Sequence, residues 1–311
     1  LGFLYAETGS LNMGDVALIL ETAGMQSTAR IALVFIILGI ALKMALLPLH
    51  QWLPDVYTDA PAMSTALVAP IGAKVAVYVL IRIVYDVFPP GLGDWTFPLH
   101  TLLAVAGATA IVWGSVMAIP QTNLKRMLAF SSVAQIGYIA LGIGLATPFG
   151  YVGAVLHVFN HALMKACLFL FSARLEKSGL GIRIDRLTPE TRRRLPVSTA
   201  CFVLAAISMI GLPPTAGFFS KWYLILGSYE SGNWVYVAVI LASSLLNAVY
   251  FFRIIERLYL SESAEAASRP MRVRLTRRNL ALVTLAVSIL LAGLFNLWIV
   301  RVLIEPMVPT F

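Results

Sequence analysis

The chain has 311 residues, 59% of them hydrophobic and only 12% charged, about half the charged share of an ordinary soluble domain. Together with a mean hydropathy of +0.84 this excludes a water-soluble globule, so the length is better counted in membrane spans of about 20 residues than in soluble domains. The formal charge of +8 does not indicate nucleic acid. The basic residues lie in short stretches between apolar runs, as membrane topology requires, and form no basic face.

Residues 1–6 read as the tail of an apolar run with no basic segment before it, and the first residue is Leu1. The chain is therefore expected to be a fragment whose beginning is missing, with residues 1–27 the end of a preceding span and an outer loop. Eight spans follow, predicted at 28–49, 63–85, 99–119, 123–146, 149–173, 197–227, 233–256 and 279–303. Connections are predicted at Asp55 to Pro61, at the Pro89/Pro90/Gly91 turn, at Thr147/Pro148 and in two longer charged loops. The predicted fold class is an all-α polytopic membrane protein of about eight transmembrane helices. Cys167 and Cys201 both fall inside apolar runs, which supports neither a disulfide framework nor a cysteine metal site.

The loop with Lys125 and Arg126, the loop from Arg174 to Arg194 and the loop from Arg253 to Arg278 are separated by pairs of spans, so they share one side. All are basic, whereas the loops with Asp86, Asp94 and Glu230 carry no Lys or Arg. The positive-inside rule puts the basic set in the cytoplasm, and Glu7, Asp15 and the C-terminus outside. Arg82 is an exception.

Lys43, Lys74, Lys165 and Lys221 each sit inside an apolar run. A lysine at the bilayer centre costs roughly 2.5–3.5 kcal/mol on insertion scales, so four of them point to a hydrated or charge-paired interior path. Snorkelling is the competing reading, and it is favoured for Lys125 in the first turn of its helix. In HVFNHALMK, His157, His161 and Lys165 recur every four residues and share one helix face. A row of two imidazoles and an amine can exchange protons; the alternative is a pair of ordinary core histidines. Metal binding has little support, since the segment lacks a metalloprotease glutamate and a nearby carboxylate ligand. Ser131, Ser132, Gln135 and Tyr138 on the preceding helix are read either as water-path support or as helix–helix hydrogen bonds.

Pro48 breaks a helix near Lys43, and Gly211, Pro213, Pro214 and Gly217 do so before Lys221. Freed backbone groups at membrane depth must face protein or water, so each break marks an internal polar region. The broken spans are the first and the sixth, five crossings apart, and so run in opposite directions, as inverted repeats do.

The segments LKMALLPLHQWLPDVYTDAPAMSTALVAP, LKRMLAFSSVAQIGY, HVFNHALMKACLFL and GLPPTAGFFSKW resemble, in order and spacing, the antiporter-like membrane subunits shared by respiratory complex I, membrane-bound hydrogenases and Mrp-type sodium/proton antiporters. The resemblance implies that the eight spans correspond to helices 7–14 of a fourteen-helix inverted-repeat fold with two broken helices. Residues 28–90 would be broken helix 7 and helix 8 at the end of the first repeat, 99–256 helices 9–13 in the second, and 279–311 helix 14 with the tail. It implies that Lys43 is the helix 7 lysine, Lys74 the helix 8 connector, His157 and His161 helix 11 connectors, Lys165 part of the same motif, and Lys221 the helix 12 lysine leading outward. The glutamate that pairs with the helix 7 lysine in the family has no counterpart here.

Lysine at both 74 and 221, and the wording of GSLNMGD and VAPIGAKVAVYVLIR, resemble most the D subunit of Mrp antiporters, and the chain ends without a long lateral helix. The expectation is an ion-translocating subunit of a sodium/proton antiporter in a bacterial or archaeal cell membrane, with other subunits, protons and sodium as partners, no cofactor or metal, and no nucleic acid. The alternative is an N-type proton-pumping subunit of an NADH-quinone oxidoreductase or membrane-bound hydrogenase, and a third is an inactive scaffold.

Overall fold

The computed structural model describes residues 1–88, 98–260 and 279–309; the predicted turn at Pro89, Pro90 and Gly91, Asp94, most of the loop between Arg253 and Arg278, and the last two residues lie outside the described set. Fourteen α-helices occur among the described residues: α1 Gly2–Thr8, α2 Met13–Ala23, α3 Ser27–Met44, α4 Trp52–Asp59, α5 Ala62–Ile81, α6 Leu99–Ala118, α7 Leu124–Gly144, α8 Pro148–Lys177, α9 Pro189–Arg194, α10 Pro196–Ile210, α11 Ala216–Glu230, α12 Trp234–Tyr259, α13 Leu280–Leu294 and α14 Asn296–Ile299. Six helical stretches are long and apolar enough to cross a membrane, and a seventh results if the bent pair at the C-terminal end is one span. The eighth predicted span, 197–227, is realised as two 15-residue halves, α10 and α11. The fold is all-α and polytopic, as predicted.

Three boundaries differ from the expectation. The first predicted span stops at Met44, and the stretch from Asp55, expected as a connection, belongs to a second half-helix, α4. Ala45 ends α3 in the left-handed region, φ 60°, a conformation uncommon for a residue with a Cβ. The last span, expected to run unbroken over 279–303, turns by 75° between Leu294 and Asn296, where neither proline nor glycine marks the sequence. The breaks at Pro48 and at Gly211, Pro213 and Pro214 lie where predicted, and Gly211 takes the left-handed conformation that ends α10.

Helix starts follow ordinary capping chemistry. Asn123 accepts from the amides of Lys125 and Arg126 at 2.9 and 3.3 Å, and Thr147 accepts from Gly150 N at 3.1 Å with Pro148 at the first position. Glu7 does the same from a distance, its carboxylate taking Gln26 N at 3.0 Å and Ala29 N at 2.6 Å at the start of α3, where the helix dipole favours a negative charge.

The centre of the bundle is α7, which is buried along its length. Small residues let its backbone approach α6: Gly107 faces Gly137 and Leu141, and Gly114 faces Phe130 and Ala134. In lipid, where apolar surface alone does not drive helices together, such close backbone contact is a main source of association. A methyl group at position 137 would stand 2.6 Å from Gly107 O and 2.8 Å from Ile111 N, and backbone cannot move aside as a flexible side chain can. Gly137→Ala is therefore expected to destabilise by about 1–3 kcal/mol, read as a lowered thermal midpoint of the purified protein in detergent.

Candidate ion path

The His157, His161 and Lys165 face of α8 is turned inward, and all three side chains have no exposed surface. His157 is held at both nitrogens: Nε2 lies 2.9 Å from Gln135 Oε1 and Nδ1 2.9 Å from Ser220 Oγ. A carboxamide oxygen only accepts, so Nε2 carries the proton and Nδ1 accepts from Ser220. One turn on, the His161 ring lies 6.1 Å from that of His157, nearly parallel at 19°. Neither His161 nitrogen has a hydrogen-bond partner among the described residues. A further turn on, the Lys165 ammonium donates to Leu128 O at 2.6 Å and to Ser131 Oγ, with the Phe169 ring 5.8 Å away.

Lys221 approaches from the second helix break. It is 4% exposed, and its ammonium donates to Met209 O at 3.0 Å, Ile210 O at 2.9 Å and Ser244 Oγ at 3.1 Å, above the Tyr138 ring at 5.1 Å. The carbonyls are those left free at the end of α10, where the helix dipole favours a cation. Lys74 on α5 is half-buried, with its ammonium 3.1 Å from Ala69 O. It is near enough to interact electrostatically with His157, His161 and Lys165.

Lys43 is not part of this group. It was expected inside, but its side chain lies on the exposed face of α3 beside Leu42, Leu38 and Phe35, because no described helix covers that face. The carbonyl freed beside it, Leu42 O, is taken instead by the Trp52 indole at 2.9 Å. Lys125, expected to snorkel, is 3% exposed; its ammonium donates to Ala60 O at 2.7 Å and pairs with Glu176 at 3.3 Å.

The four polar residues of α7 divide. Gln135 serves His157, Ser131 serves Lys165, Tyr138 lies under Lys221 and donates to Ile240 O at 3.3 Å, and Ser132 bonds only Leu128 O of its own helix at 3.0 Å. Among the described residues no carboxylate is within ion-pair distance of Lys74, Lys165 or Lys221, and no three His, Cys, Asp or Glu side chains converge as metal ligands would. The residues gather amines and imidazoles among neutral acceptors, an arrangement able to hold and pass protons.

Sequence reasoning missed Ser220 and a polar string on α12, Ser243, Ser244, Asn247 and Tyr250. All but Ser244 are fully buried, and their spacing of three and four within an apolar run was the available signal.

The loops read as basic meet at one end of the bundle. Arg253 donates to Ile119 O and Gln121 O, each at 2.6 Å, Arg257 reaches Asp185 O at 3.1 Å, and Ile184 N bonds Thr122 O at 2.7 Å. Outside the spans, the hydrogen bond from Arg183 holds the Asp185 carboxyl below the usual carboxylate range.

Two interrupted helices in a membrane bundle, with an enclosed Lys/His row, define an antiporter-like membrane subunit. The chain belongs to the family described as NADH:quinone oxidoreductase/Mrp antiporter, TM, whose pattern matches residues 1–247. It is 43% identical over 320 residues to NADH-quinone oxidoreductase subunit N of Desulforudis audaxviator, a match covering 99% of this chain and 63% of that protein. Among solved structures, an archaeal membrane-bound sulfane sulfur reductase complex has a chain 28% identical that superposes with a TM-score of 0.86, covering 98% of this chain and 61% of that one. A chain of the Mrp complex from a Dietzia species, 23% identical, shares the fold at a TM-score of 0.84 over 96% of this chain and 62% of its own. The chain thus spans less than two thirds of the length of these relatives.

Replacing Lys221 by methionine keeps most of the volume but strips Met209 O and Ile210 O of their buried donor. The expected cost is about 1–3 kcal/mol, read as a lower thermal midpoint in detergent.

Proposed function

We propose that the chain is part of an N-type proton-translocating subunit of a redox-driven membrane complex, the alternative of the two transport readings drawn from the sequence. The sequence relative supports this choice over the D subunit of an Mrp antiporter, since it is a subunit N of an NADH-quinone oxidoreductase. On this reading other subunits carry the redox centres, the complex lies in the cell membrane, and this chain does no covalent chemistry. The inverted-repeat relation between the two broken helices belongs to the same proposal.

The observation that carries the reading is His161, an imidazole with no exposed surface and no partner for either nitrogen, between His157 on one side and Lys165 on the other. Buried polar atoms without partners are rare in folded proteins and mark function more often than packing. Protons would pass among Lys74, Lys165, His161, His157 and Lys221, each protonation lowering the proton affinity of its neighbours by like-charge repulsion. Lys43 would join this row through segments of the full-length subunit that cover its face.

The test uses the full-length subunit in its complex, in sealed inverted vesicles supplied with the electron donor. His161→Ala is expected to lower proton uptake per electron transferred by about tenfold or more; unchanged uptake with normal assembly removes His161 from the path. Uptake that needs a sodium gradient and persists without electron donor favours sodium/proton antiport instead. For orientation, Cys167 and Cys201 are buried, whereas Ser178 is exposed in a basic loop. Ser178→Cys is expected to react with a membrane-impermeant maleimide in inverted vesicles and not in right-side-out vesicles.

A further inference from the structure

A second polar lane joins the two enclosed lysines without touching the histidines. From Lys221 it passes to Ser244 Oγ at 3.1 Å, and the Tyr138 hydroxyl lies within reach of both Ser244 and Ser243. Ser243 Oγ is 2.7 Å from Ser115 Oγ, and Ser115 donates to Asn247 Oδ1 at 3.5 Å. The Tyr250 hydroxyl donates to the same Asn247 oxygen at 2.7 Å and faces Ser131, the hydroxyl that takes the Lys165 ammonium. All of these side chains except Ser244 and Lys221 have no exposed surface.

Every member of this lane is a hydroxyl or an amine except one. A hydroxyl accepts a proton on one side and releases its own on the other, so a string of hydroxyls can conduct. A carboxamide cannot do so at its oxygen, which has no proton to release. The orientation of Asn247 is fixed by its third neighbour: Met209 O, 3.4 Å from Nδ2, is only an acceptor and requires the NH2 group, leaving Oδ1 to face Ser115 and Tyr250. Both hydroxyls therefore point their protons into an oxygen that passes neither on.

We infer that Asn247 is an insulating residue, whose carboxamide interrupts a hydroxyl lane between Lys221 and Lys165 and confines proton exchange between them to the His157/His161 row. A carboxyl group at this position could take a proton on one oxygen and release it from the other, so Asn247→Asp would close the gap. Threonine would do so with a neutral hydroxyl. Asn247 touches neither histidine, and its role is that of a positioning residue.

The inference rests on the proton path proposed above, and the test separates the two. In the full-length subunit within its complex, proton uptake per electron is measured in sealed vesicles for His161→Ala alone and combined with Asn247→Asp, Asn247→Thr or Asn247→Leu. The single variant is expected to lose uptake, the Asp or Thr combination to recover at least about a third of it, and the Leu combination to recover none. Retained uptake in His161→Ala alone overturns the histidine path and the confinement with it. Loss in the single variant with no recovery in whichever of the Asp and Thr combinations assembles overturns the insulating role and leaves the histidine path standing. Recovery with Leu as well also overturns it, because leucine cannot relay a proton.

Discussion

The ammonium of Lys221 at the end of α10 is the contact on which the rest of the arrangement depends. A helix interrupted in a membrane leaves carbonyls that lipid cannot satisfy, and here Met209 O and Ile210 O are met by a charged donor brought back from the facing half-helix. The three N–H groups of an ammonium match the three acceptors around it, two carbonyls and Ser244 Oγ. A neutral amine has two N–H groups and a lone pair. Of the three neighbours only Ser244 can reverse its role and donate to that lone pair, so loss of the proton reorders the hydrogen bonds at the break without leaving either carbonyl unpaired. Protonation and backbone geometry are thereby coupled at one atom.

The first break satisfies the same requirement by different means. Leu42 O is held by the Trp52 indole, a donor that carries no exchangeable charge, and the nearby Lys43 is left on an exposed face. Two segments that look alike in sequence, each a lysine beside a proline, thus differ in which group holds the freed carbonyl. Only at the second is the group that closes the break also a member of the enclosed row.

The row itself was legible in the sequence because imidazoles and amines are conspicuous in an apolar run and a spacing of four stacks them on one face. The two breaks were legible because proline cannot donate. The α12 string was not read, since serine, asparagine and tyrosine cost little enough in a membrane helix that none stands out singly; only their periodicity marks them. The bend after Leu294 carries neither proline nor glycine, and it follows packing that no local signal reports: Gly293 lies against Pro214 O and Thr215 at the second break. The exposure of Lys43 was likewise unreadable, because burial depends on which helices cover α3 and not on its own residues.

A chain of proton carriers needs fixed spacing more than strong bonds, and the glycine seam between α6 and α7 provides it. With α7 enclosed on all sides, Gln135, Ser131 and Tyr138 are presented to His157, Lys165 and Lys221 from one rigid element, so three members of the row share a common support. The supports are neutral acceptors throughout. A carboxylate beside Lys165 or Lys221 would hold its proton as an ion pair, and breaking such a pair in a buried site costs about 3–5 kcal/mol. Carbonyls, hydroxyls and a carboxamide stabilise the charged lysine less, which leaves its proton transferable to the next group. The Lys125 ammonium, paired with Glu176 at the basic end of the bundle, is the contrasting case: the same side chain, held by a carboxylate, ties the start of α7 to the end of α8 and stands outside the row.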